Sequence, residues 1–223
     1  MAEARGGEVL VTVDGPYIVS GGIPLRVMRI VLNERHESVG WRSVGRIPVK
    51  GSYALCRCGR TATPPFCDGS HERAGFDGTE TASREPFERQ ARVLHGAGVW
   101  LADAQELCAS ARFCLRSGGT WFLTRRSRGS AARRTAVQQA ANCPAGRLVA
   151  RRPGGADLEP KLARSIALVE DPLAGMSGPL WLRGSIPVIA ADGFRYEMRN
   201  RVTLCRCGRS RNKPFCDGNH AHD

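Results

Sequence analysis

Residues 56–71 read CRCGRTATPPFCDGSH and residues 205–220 read CRCGRSRNKPFCDGNH, two stretches that align without a gap. Each brings three thiols and one imidazole together: Cys56, Cys58, Cys67 and His71 in the first, Cys205, Cys207, Cys216 and His220 in the second. Thiolate and imidazole are the donors that zinc and iron–sulfur clusters take. The spacing sorts them into pairs. Cys56 and Cys58 lie two apart, so on an extended backbone their side chains point the same way. Cys67 and His71 lie four apart, so a helical turn beginning near Cys67 sets them on one face. The second copy repeats both relations. Pro65 and Pro214 suit a turn into a helix start, where Asp68 and Asp217 are placed to accept from free backbone amides. Phe66 and Phe215 read as apolar plugs of the core.

Two metal chemistries compete for this donor set. Structural zinc takes its thiols at C-x2–4-C spacing, which the tighter C-x-C fits poorly. A [2Fe–2S] cluster takes four ligands, two on each iron, and His replaces Cys on one iron of Rieske centres. One iron would then take Cys56 and Cys58, the other Cys67 and His71. The alternative is a zinc-binding module whose basic surface engages nucleic acid.

The pattern C-x-C-x2-[ST]-x3-P-x-C-D-G-[STA]-H, which the first copy fits at every position, resembles that of the CDGSH iron–sulfur (NEET) family. In the second copy Asn219 departs from it and leaves the four ligand positions intact. The resemblance implies one [2Fe–2S] cluster per motif, held by three Cys and one His, and work in electron transfer or cluster transfer. The chain also resembles the subgroup with two motifs per chain. Dimeric relatives exchange strands between subunits into a shared cap; here one chain would do the work of two, so a monomer is expected.

A second repeat lies upstream of each motif. GPYIVSGGIPL at 15–25 matches GPLWLRGSIPV at 178–188, with Gly15, Pro16, Gly21, Ile23 and Pro24 in register with Gly178, Pro179, Gly184, Ile186 and Pro187. Strand-like runs at 24–32 in the first half, and at 195–198 and 201–204 in the second, lead to the cysteines. The added stretch from His36 to Gly45 reads as a surface hairpin or loop. The fold class expected is α+β: two small β-rich modules packed as a pseudo-twofold intramolecular dimer, with Trp41 and Trp181 in the shared core. A small α+β insert separates them, which gives domains at 1–85, 86–172 and 173–223.

The insert reads as a strand at 90–94, a helix at 103–112, a strand at 121–124 and a helix at 131–141. Its thiols Cys108, Cys114 and Cys143 resemble a degenerate single-cluster ferredoxin in which Ala111 takes one ligand position. A third iron–sulfur cluster there competes with a vestigial fold whose thiols are inert.

Composition bounds the rest. The 33 Lys and Arg against 21 Asp and Glu leave a formal charge of +12, which favours an acidic redox partner or cluster acceptor. The densest basic run, from Arg125 to Arg134, has no interleaved aromatics on which bases would stack, so nucleic acid is disfavoured. No run is long and apolar enough for a membrane helix, and the first eight residues show no signal pattern. Six of nine cysteines sit in the two motifs, which points to a reducing cytoplasm in place of disulfides. The absence of a nucleophile–base pair, an acid pair or a phosphate-binding glycine loop argues against an enzyme.

Overall fold

Short β-branched runs punctuated by glycine and proline favour short strands, and the computed structural model shows them. It describes residues 6–221; the N-terminal reading begins outside that range. The first half carries β1 (Val9–Val11), β2 (Tyr17–Val19), β3 (Leu25–Leu32), β4 (Ser38–Ile47) and β5 (Tyr53–Leu55), then the short helices α1 (Ser70–Arg73) and α2 (Phe87–Gln90). The insert holds β6 (Arg92–His95), β7 (Trp100–Asp103), α3 (Thr120–Arg125), α4 (Ser130–Asn142) and β8 (Leu148–Arg151). The second half adds β9 (Ser165–Asp171), β10 (Met176–Arg183), β11 (Val188–Ile189) and β12 (Arg201–Leu204).

The halves are joined by exchanged strands. One sheet runs β11-β1-β2-β5 and another β12-β10-β9-β3-β4. The sequence repeat equates β2 with β10 and the start of β3 with β11. The order β11-β1-β2-β5 therefore matches β3-β9-β10-β12 strand for strand, with β4 added at one edge. Each half contributes one strand, parallel, to the other's sheet: Val9 faces Val188, and Leu25 faces Ile166. The flanking bonds repeat the symmetry, since Val9 donates to the Pro187 carbonyl and Ile166 to the Pro24 carbonyl, both at 2.9 Å. A three-stranded module would expose an unpaired edge and bury little apolar surface. Exchange covers both edges and builds one core from Val9, Tyr17, Leu25, Ile166, Leu180, Val188 and Leu204.

The stretch read as a hairpin or loop is a hairpin with a long return strand. Asn33 accepts from the amides of Arg35 and Glu37 to close its turn, and β4 follows for ten residues. Trp41 and Trp181 stack on each other at 4.8 Å, one from each half, in a second core cluster separate from the one around Tyr17. They pack with Met28, Ile30, Phe113 and Val169 against the insert, and Trp41 donates to the Asn142 carbonyl.

The insert is a three-stranded antiparallel sheet, β6-β7-β8, backed by α3 and α4. Three local expectations are corrected. The helix read over 103–112 is the end of β7, one 3-10 turn at Gln105–Leu107 and irregular chain, with Ser110 and Arg112 at positive φ. The contacts of that stretch with the second half outweigh its helix propensity. The aromatic run at 121–124 is helix α3, because Gly118 and Gly119 turn the chain and Leu123 then buries on the helix's inner face. Residues 195–198 form no strand of their own; Arg195 makes one antiparallel bridge with Ile189, the Tyr196 amide donates to the Val188 carbonyl, and side chains do the rest, the Tyr196 hydroxyl binding Glu80 and Glu197 accepting from the Phe87 amide.

Arg201 on β12 ties the insert to the second half. Its guanidinium is buried and donates to the carbonyls of Ala140, Cys143 and Leu148 and to the carboxylate of Glu159.

Candidate metal centres

Both motifs fold by the same local bonds. Leu55 pairs with Phe66, and the amides of Cys56 and Cys67 donate to Pro65 and Ala54. Leu204 pairs with Phe215, and Cys205 and Cys216 donate to Pro214 and Thr203. This short ladder sets each C-x-C hairpin beside the third cysteine. The Pro64–Pro65 and Lys213–Pro214 bonds are both cis. Phe215 is buried and Phe66 partly so, as core plugs should be.

Asp68 accepts from the amides of Ala62 (2.8 Å) and Ser70 (3.0 Å), and Asp217 from those of Arg211 (2.8 Å) and Asn219 (3.1 Å). These amide bonds hold the Asp68 carboxyl well below the usual carboxylate range. The helix begins later than the spacing suggested, at Ser70, so Cys67 precedes it. Gly69 (φ 83°) and Gly218 (φ 88°) turn the chain back, and each histidine meets its cysteine through that turn. One position carries a role that spacing did not reveal: the Thr61 and Ser210 hydroxyls each donate to the Phe carbonyl before the third cysteine, at 2.7 Å. Its signal was the hydroxyl common to both copies.

The donor atoms gather two by two. Sγ–Sγ distances are 3.7 Å for Cys56–Cys58 and for Cys205–Cys207, and Sγ–Nδ1 distances are 3.4 Å for Cys67–His71 and for Cys216–His220. Two thiolates on one tetrahedral metal, at about 2.3 Å each, lie about 3.7 Å apart, and a thiolate and imidazole about 3.5 Å. Among the described residues, no three or more His, Cys, Asp or Glu side chains converge on a single ion. Pairs at one-metal spacing, without a four-way convergence, suit two metals better than one.

The second set is the more deeply enclosed. Burial pushes the Cys216 thiol up and the His220 imidazole down, which favours the neutral imidazole that ligation requires. The hydrogen bond between Cys205 and Cys207 draws the Cys207 thiol down and, with burial, pushes that of Cys205 up. His220 is buried, with its Nε2 facing Gly178, where a Cβ would lie 3.5 Å away. His71 is 16% exposed, with Nε2 3.9 Å from Glu72.

The two motifs touch. A Cβ on Gly59 would lie 2.8 Å from the Cys207 carbonyl oxygen, and one on Gly208 2.6 Å from that of Cys58. Beside this contact opens a cleft of about 490 Å³ lined by Cys58, Arg60, Phe76, Cys207, Arg209 and Lys213.

The insert thiols form a third group. Burial, then Cys143 and Cys108, push the Cys114 thiol up to about 11, against the pull of Arg147. Arg147 is paired with Asp103 at 2.7 and 3.1 Å and lies against the Cys108 thiol. Ala111 packs instead toward the Trp41–Phe113 cluster, so the ligand position it replaces has turned into apolar surroundings. His95 stacks on Trp100.

The family model described as "Iron-binding zinc finger CDGSH type" matches residues 14–72 and again 177–221. The chain thus carries two CDGSH-type iron-binding regions, one around each motif. Between the two matches, residues 94–153 match the model described as "Divergent 4Fe-4S mono-cluster". Together these make it an iron–sulfur protein with an iron–sulfur-type insert. No curated protein and no solved structure matches it. Among the described residues, no helix is long and apolar enough to cross a membrane.

Proposed function

We propose that the chain carries two [2Fe–2S] clusters, one held by Cys56, Cys58, Cys67 and His71 and the other by Cys205, Cys207, Cys216 and His220. Such a cluster supplies a one-electron couple. The observation behind this reading is the two-by-two spacing of the donors, repeated in both motifs. In each, Cys-Cys would hold one iron and Cys-His the other.

The protein residues set what the centres do. The C-x-C hairpins meet back to back through Gly59 and Gly208, so the two centres communicate within one chain, where relatives need a dimer. Arg60 and Lys213 on the cleft give an acidic redox partner or cluster acceptor a cationic surface beside both motifs. His71, reaching toward solvent, makes the first centre the site of exchange with partners. His220, enclosed, makes the second a retained centre. The chain acts as a carrier, in a reducing compartment that suits nine unpaired cysteines.

The test is a visible absorption spectrum with iron, acid-labile sulfide and zinc analysis of anaerobically prepared protein. Bleachable red-brown protein with equal iron and sulfide supports the reading. Colourless protein carrying zinc and no sulfide overturns it in favour of the zinc module.

A further inference from the structure

The insert's cysteine loop lies on the second motif. A Cβ on Gly218 would fall 2.3 Å from the Ser110 hydroxyl and 3.0 Å from the Cys108 carbonyl. Ala109, Ala145 and Cys216 form one buried cluster, with Cys143 packed against it. Arg112 pairs with Asp171 at 2.6 Å, and Asn212 of the second motif donates to the Glu106 carbonyl at 3.0 Å. Two of the three insert thiols, Cys108 and Cys143, thus belong to segments packed on Cys216 and its Asp-Gly turn. The first motif meets the second through Gly59 and Gly208, at the C-x-C hairpins.

We propose that Cys108, Cys114 and Cys143 hold a third iron–sulfur centre, and that the three centres form a line with the second motif in the middle. The inference rests on the two-cluster reading above and adds an order to it. A one-electron reductant outside the chain delivers an electron to the insert. For each electron the insert centre gives up, the Cys216–His220 side of the second centre gains one. The same electron leaves through the Cys205–Cys207 hairpin to the first motif, and then to an acidic one-electron acceptor at the cleft. On the insert side the path is buried, through Cys143, Ala145 and Ala109; on the other, two glycines without side chains let the hairpins meet beside the cleft.

Stepwise reductive titration of the fully loaded protein, followed by electron paramagnetic resonance, tests this. His71→Cys and His220→Cys assign the two [2Fe–2S] signals. Reduction of the insert centre should split or relax the second motif's signal and leave the first motif's unchanged. Cys114→Ser removes an insert thiol that does not touch the second motif; it should lower the iron count and abolish the splitting. An iron count unchanged by Cys114→Ser, a second-motif signal indifferent to the titration, or a coupling seen on the first motif overturns the line. The titration of wild-type protein decides the order even where Cys114→Ser fails to fold. If the two His variants leave the spectra untouched, the two-cluster reading falls; if they shift two signals that remain uncoupled to a third, the line alone falls.

Discussion

The Tyr17 hydroxyl, from the first half, lies 2.8 Å from the carbonyl oxygen of Cys205, in the second, and 3.0 Å from that of Pro214. The repeat places Leu180 at the corresponding position of the other half, so the bond exists once. Tyr17 is fully buried, and loss of its hydroxyl takes the donor from the Cys205 carbonyl while Pro214 keeps the Cys205 amide. Tyr17→Phe should cost about 1–3 kcal/mol. Thermal melts report the loss, and iron analysis should show it falling on the second motif first.

Gly208 combines a φ of +79° with a Cβ position 2.6 Å from the Cys58 carbonyl oxygen, whereas Gly22, at φ +63°, has open space around it. Gly22→Ala pays only the left-handed penalty, about 1–2 kcal/mol. Gly208→Ala must also force the two motifs apart. The expected order of melting temperatures is wild type, then Gly22→Ala, then Gly208→Ala, with impaired electron exchange between the motifs only in the last. Equal melting of the two variants would show that the motif contact is soft.

Partial exposure of His71 and fuller enclosure of His220 should make iron loss biphasic. Under a chelator in excess, the fast phase belongs to the first motif. His71→Cys should slow that phase several-fold and leave the slow phase in place. A single phase, or an effect of His71→Cys on the slow one, contradicts the assignment of exposed and retained centres.

Arg201 and Glu159 fix a pH limit. Although burial alone would raise the Glu159 carboxyl, Arg201 draws it below its ordinary 4.5. A lowered folded-state value means stability is fully present above about 4.5 and lost as pH falls through the folded value. Glu159→Gln should therefore flatten the acid limb of a stability-against-pH curve. Arg201→Ala leaves the Glu159 carboxylate only its Asn200 bond and strips the donor from the carbonyls of Ala140, Cys143 and Leu148; it should destabilise the protein by about 1–3 kcal/mol at neutral pH and loosen the insert, as hydrogen exchange over α4 would report.

Much of this was readable from residue identity because the repeat fixes it twice. The donors Cys56, Cys58, Cys67 and His71, their counterparts near the C-terminus, and the Asp68 and Asp217 turns all follow from short-range spacing. Strand exchange was suggested by resemblance, but its register, Val9 on Val188 and Leu25 on Ile166, depends on long-range pairing that no local pattern encodes. The insert misled most. Its 103–112 run has helix-favouring residues, yet Ser110 and Arg112 are claimed by Gly218 and Asp171 of the second half, and Phe113 just beyond by Trp41 of the first. The enclosure of one motif and exposure of the other comes from that tertiary contact, so two nearly identical sequences occupy unlike surroundings.

The exchanged strands also set the order in which the molecule becomes whole during synthesis. β1 gains its outer neighbour only when Val188 and Ile189 exist, and β3 waits for Ile166. A ribosome that has finished the first cysteine motif has not yet made a closed module. The first motif must sit on an incomplete sheet while more than a hundred further residues are added, the insert among them. On the two-cluster reading, loading of the first centre then competes with oxidation and mismetallation of thiols in a module that is still open.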